Sequence, residues 1–210
     1  FVERAKKREI SENLAEDIFD KMEAFAGYGF NKAHAASYAF VTYQTAWLKA
    51  HYPVEFFAAS MSLDIENTEK ISIFYQDCVE KNIKIIPPNI NLSNALFSVK
   101  QEKDNKFIIY ALGAIKNVGI DAIEKLVRER KNGNFFNIDN FVKRLPQEVC
   151  NKKNLESLVS SGSLDTLHPR RGELFKVIEQ IITESDSHRI ENETGQSNLF
   201  RSKIENTNFS

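Results

Sequence analysis

The chain has 210 residues, of which 42% are hydrophobic, 11% aromatic and 27% charged, with a formal net charge of −1. That composition excludes disordered and collagen-like chains and suits one or two ordinary domains. Bulk charge near zero points to neither a nucleic-acid nor a membrane partner, so local charge must carry any such argument. No apolar run approaches the roughly 20 residues of a membrane span. The opening Phe1-Val2-Glu3-Arg4-Ala5-Lys6 has neither an initiator Met nor an apolar signal region, so the chain reads as a piece of something longer. Cys78 and Cys150 stand far apart with no CxxC or Cys/His cluster. Buried, reduced thiols in a cytoplasmic protein are expected, not a disulfide framework or a zinc site.

Ile10, Leu14, Ile18, Met22 and Phe25 recur at helical steps, with Ser11 as N-cap, and Gly27-Tyr28-Gly29 is expected to break the helix. A second helix fits Lys32 to Ala50, with Ala36, Phe40, Tyr43, Trp47 and Ala50 on one stripe. Pro53 suits the first turn of a third helix through Met61. Ile71, Phe74, Tyr75, Cys78 and Val79 make the expected buried face of a fourth.

The period then changes. Ile83 to Ile86 reads as a short strand, and Leu96–Val99 with Phe107–Tyr110 reads as a hairpin around Glu102-Lys103-Asp104-Asn105. Ala122, Ile123, Leu126 and Val127 share a helix face that Asn132-Gly133 terminates. Helical patterns follow at Phe135–Val142, Asn154–Val159 and Glu173–Ile182. From about Thr183 apolar residues nearly vanish, as in a flexible tail, except at Gln196-Ser197-Asn198-Leu199-Phe200. The fold expected is mainly α: a helical segment over 1–64, a compact helical module with a small β-hairpin over 65–182, and a tail over 183–210.

Catalytic groups do not converge. There is no phosphate loop of the GxxxxGK type, no GxSxG and no HExxH. The carboxylates Glu16, Asp17 and Asp20 fall on the helix face opposite Leu14, Ile18 and Met22, where a solvated surface accounts for them. No active site and no metal site are expected in this chain.

Two segments carry binding chemistry. In Phe25-Ala26-Gly27-Tyr28-Gly29-Phe30-Asn31-Lys32-Ala33-His34, a Lys and a His fall two apart at a helix start. Free N–H groups there already favour anions. A polyphosphate site fits, and so does a tight helix–helix turn whose Lys32 and His34 merely face water. In Tyr110-Ala111-Leu112-Gly113-Ala114-Ile115-Lys116-Asn117-Val118-Gly119, the form is a helix-hairpin-helix. Such a unit offers backbone N–H groups to one phosphate of a duplex without reading its sequence. Asn117 stands where the hairpin usually has Gly, and Asn tolerates left-handed backbone well. From Gly113 to Ile182 twelve Lys and Arg face nine Asp and Glu, an excess of three. Asp121 and Glu124 oppose the cations nearest the hairpin. A second, degenerate unit lies at Asn154–Asp165.

The first segment, with Tyr43-Gln44-Thr45-Ala46-Trp47-Leu48-Lys49-Ala50-His51-Tyr52-Pro53, resembles the fingers of the bacterial DNA polymerase III alpha family. The family pattern is close to FAGYGFNKSHAAAYA followed by YQTAWLKAHYP, and this chain departs from it at Ala33 and Ser37. The second segment is similar to the family's YGLGAIKGVG, with departures at Ala111 and Asn117. Ile86-Pro87-Pro88-Asn89-Ile90-Asn91 also matches, so the resemblance covers residues 1–182 in order.

It implies that Lys32 and His34 contact the incoming nucleoside triphosphate and that Tyr38 belongs to the nucleotide-binding or template-base surface. It further implies that Lys116, Asn117, Val118, Gly119 and Lys125 hold primer–template duplex DNA. Gln196, Leu199 and Phe200 resemble the pentapeptide by which such subunits bind the sliding clamp. The implied parent is a DNA-directed DNA polymerase working with other replicase subunits. Its Mg-binding carboxylates lie in a palm that precedes this segment, so the fragment alone should be inactive. The rival reading is a non-enzymatic helix-hairpin-helix DNA-binding or scaffold protein.

Overall fold

The computed structural model describes residues 1–28, 32–184 and 186. Its chain divides into two compact units, Phe1–Tyr52 and Pro53 onward. The division falls earlier than the boundary expected at 64. The cause is the helix at Pro53–Leu63, which buries Phe57, Ala58 and Met61 in a core of the second unit.

The first unit holds α1 (Val2–Lys6), α2 (Glu12–Tyr28) and α3 (Lys32–His51). α1 packs on α2. Helix α2 starts directly after Ser11 and ends at Tyr28, within the Gly27-Tyr28-Gly29 segment expected to break it. The expected apolar stripes are helical but not buried: Leu14, Met22 and Phe25 on α2, and Phe40 and Tyr43 on α3, are all exposed.

The second unit contains two cores. One is built by α4 (Pro53–Leu63), α5 (Thr68–Glu80) and a three-stranded sheet. Asn67 caps α5, its side chain accepting from the Lys70 N–H at 3.1 Å. Ile71 and Cys78 face inward as expected, whereas Tyr75 and Val79 lie on the exposed flank. A 13-residue helix against one sheet buries a narrower stripe than the five apolar residues suggest.

In the sheet, β2 (Ser98–Glu102) and β3 (Asn105–Ile109) form the expected hairpin, with Lys103-Asp104 at its tip and Lys103 at φ 54°. β1 (Ile85–Ile86) pairs with β3 in parallel, giving the order β1-β3-β2.

The other core belongs to α6 (Ile120–Arg130), α7 (Ile138–Arg144), α8 (Lys152–Ser160) and α9 (Arg171–Lys176), followed by a helical stretch at 178–184. Leu112, Ile123, Leu126, Phe135, Phe141 and Leu158 fill it. Asn137 and Asn151 cap α7 and α8 through their side-chain oxygens. The Pro-Pro-Asn-Ile-Asn segment threads into this core. Ile90 is fully buried, and its N–H donates to the Ser163 carbonyl at 2.8 Å. The Asn91 amide pairs with both backbone groups of Phe135, at 2.7 and 2.8 Å.

Candidate nucleic-acid interface

The hairpin is fixed from behind before it offers anything in front. A 3-10 turn at Leu112–Ala114 hangs on the preceding loop: Leu112 N–H donates to Asn94 at 2.9 Å and Gly113 N–H to Ala95 at 3.1 Å. A Cβ on Gly113 would stand 2.5 Å from the Ala95 carbonyl oxygen, so close backbone packing requires that glycine. The turn then tightens as Val118 N–H donates to Ile115 at 3.1 Å. Asn117 adopts φ 69°, the left-handed geometry that its side chain tolerates.

Gly119 is the N-cap of α6 with φ −75° and ψ 138°, a conformation open to any residue. A Cβ placed there meets nothing within 4 Å. Neither backbone nor packing asks for glycine at this point. What its small size keeps open is the approach to the α6 N-terminus, where the first N–H groups lack intrahelical partners. That end borders a cleft of about 590 Å³, lined by Gly113 to Asp121, by Ile65 and Glu66 of the α4–α5 connection and by Thr68 at the start of α5.

The expected contacts separate on this geometry. Lys116, Asn117 and Gly119 are exposed and line the cleft. Val118 also borders the cleft, but its side chain is buried in the core and its N–H donates to Ile115, which braces the hairpin. Lys125 is exposed on α6 but pairs with Glu148 at 3.3 Å.

The degenerate second unit is also a helix–turn–helix, from α8 through Gly162 to α9. Its turn is filled from within. Gly162 sits at φ 79°, and a Cβ there would come within 2.0 Å of the Arg171 guanidinium. Arg171 forks onto Asp165 with bonds of 2.7 and 2.6 Å. That bond holds the Asp165 carboxyl below the ordinary carboxylate range. The first hairpin faces open space; the second is covered by its own arginine.

In the first unit, Lys32 is the first residue of α3. His34 and Tyr38, one turn apart, are exposed, with ring centroids 4.4 Å apart. Gln196, Leu199 and Phe200 lie outside the described residues. Sequence reading pairs Glu66 only with its neighbour Asp64 and gives it no place beside the hairpin, because only folding brings the α4–α5 connection there.

Residues 82–174 match the family model described as "Helix-hairpin-helix motif". The module is thus of the helix-hairpin-helix class. The whole chain is homologous to one segment of the proteins named DNA polymerase III subunit alpha. It is 43% identical over 203 residues to that of Caulobacter vibrioides (96% of this chain, 17% of the relative). It is 46% identical over 210 residues to that of Buchnera aphidicola subsp. Schizaphis graminum (100% and 18%). It is 41% identical over 201 residues to that of Escherichia coli K12 (95% and 17%). The chain therefore spans less than a fifth of the length of these relatives. Among the described residues no helix is long and apolar enough to cross a membrane, and no group of three His, Cys, Asp or Glu could hold a metal ion.

Proposed function

We propose that this chain is the distal fingers and duplex-holding part of a replicative DNA polymerase, acting in the cytoplasm. The observation that carries the reading is Gly119, whose lack of a side chain leaves the start of an 11-residue helix open to an approaching group. Helix dipole and free N–H groups favour a phosphate there, and Lys116 adds a cation beside it. Contacts of this kind position a duplex without reading its bases. The relatives match through residues 1–52 as well as the hairpin, which favours the polymerase reading over a free-standing helix-hairpin-helix scaffold.

In this reading Lys32 and His34, in the first turn of α3, serve as contacts for the triphosphate of the incoming nucleotide, and Tyr38 belongs to the nucleotide or template-base surface. Bond formation and its divalent metal belong, in this reading, to carboxylates elsewhere in the longer protein; among the described residues no group of three His, Cys, Asp or Glu could hold an ion. Gln196, Leu199 and Phe200 serve as an anchor for the sliding clamp, where a weak peptide gains from tethering.

Two outcomes test this reading. Lys116→Ala and Gly119→Ala should each weaken binding of a labelled duplex several-fold while leaving the thermal midpoint within a few degrees. Unchanged affinity in both would refute the hairpin assignment. Leu199→Ala with Phe200→Ala should abolish clamp capture in a surface-binding assay; retained capture would remove the anchor.

A further inference from the structure

The cleft in front of the hairpin is not as basic as a phosphate site would suggest. Of the described residues that line it, Lys116 alone carries a positive side chain, while Glu66 and Asp121 carry negative ones. Asp121 is exposed in the first turn of α6, beside the N–H groups that would meet the phosphate, and Glu66 is exposed on the opposite wall. Other carboxylates near the hairpin are spent differently: Glu129 pairs with Arg144 at 3.0 Å and Glu148 with Lys125. Glu124, one turn further along α6, does not line the cleft.

We propose that Asp121 and Glu66 form an acidic rim that restricts the hairpin to a single phosphodiester and keeps its hold on the duplex weak. This inference rests on the duplex-holding reading above. A phosphodiester brings one charge, which the N–H groups and Lys116 can balance against the rim. A denser polyanion, such as a triphosphate or inorganic polyphosphate, brings several charges into the same two carboxylates and is turned away. A module that must let the duplex advance gains from such a limit, because charges at the edge of an interface chiefly govern encounter and salt dependence.

The test compares Asp121→Asn, Glu66→Gln and the double variant with the parent chain, using a labelled duplex and inorganic polyphosphate as probes. Each single change should tighten duplex binding about five-fold at low salt, the scale of repulsion between unit charges near contact in water. The gain should fade when salt shortens the screening length to a few ångströms. Polyphosphate, bound poorly by the parent, should gain more than the duplex does. Glu124→Gln serves as the control for net charge and should change affinity by less than two-fold. Equal tightening by Glu124→Gln, or none by the double variant, would overturn the rim. Lys116→Ala is measured in parallel: if it weakens binding while the rim variants do nothing, only the rim fails. If it too is neutral, the duplex-holding reading fails with it.

Discussion

A Phe141→Ala chain is expected to lose about 3–5 kcal/mol of stability, the usual cost of emptying a large aromatic site in a packed core. Phe141 is fully buried and meets the Phe135 ring edge-on, with centroids 5.1 Å apart. Phe135 is held from its other side by the Arg144 guanidinium, 4.6 Å from the ring centre, and by the Asn91 amide at its backbone. These constraints leave little freedom for collapse into the space. A domain with about 5–15 kcal/mol in total would surrender roughly a fifth or more of it. Urea unfolding read by far-ultraviolet circular dichroism measures the loss. Phe141→Leu, which keeps most of the volume, should cost under about 2 kcal/mol. A loss below about 1 kcal/mol for the alanine variant would contradict the packing described.

Arg130→Ala should cost about 2–4 kcal/mol and should also weaken the hairpin's function. Its guanidinium donates to the Ile90 carbonyl at 3.0 Å, the Ser93 carbonyl at 2.6 Å and the Asn94 side-chain oxygen at 2.8 Å. Partial burial lowers its basicity but leaves it charged. Removing it strands three acceptors in the loop whose Asn94 and Ala95 carbonyls anchor Leu112 and Gly113. The hairpin's rear attachment should loosen with that loop. Lysine is a poor replacement, because one ammonium cannot span three acceptors as a planar fork does. The expected signature is a lower urea midpoint together with reduced duplex affinity. A variant that lost stability but bound duplex as before would break the proposed link between loop and hairpin.

Local chemistry was legible in the sequence; long-range pairing was not. Asn117 in left-handed backbone, the β2–β3 hairpin and the Ile123/Leu126 face all follow from residue type and period. The parallel pairing of β1 with β3 does not, because a two-residue strand has too little pattern to choose a neighbour. The stripes of α2 and α3 show a second limit. Periodicity marks a face that favours burial, but within the described residues of their own unit nothing covers Leu14, Met22, Phe40 or Tyr43. At the hairpin, the motif names Val118 alongside Asn117 and Gly119, yet the side chain of a residue between two exposed neighbours points into the core. Glu66 reaches the cleft only because α4 and α5 fold back on the sheet, a contact with no local signal.

The central claim is that this hairpin holds a duplex by its phosphates and ignores its bases. It is tested most directly by measuring affinity for two duplexes of unrelated sequence over a salt series. The logarithm of the binding constant should fall linearly with the logarithm of salt concentration, with the same slope for both duplexes. Lys116→Ala should make that slope shallower by about 1. Binding that is indifferent to salt, or that separates the two sequences by more than a few-fold, would contradict the account.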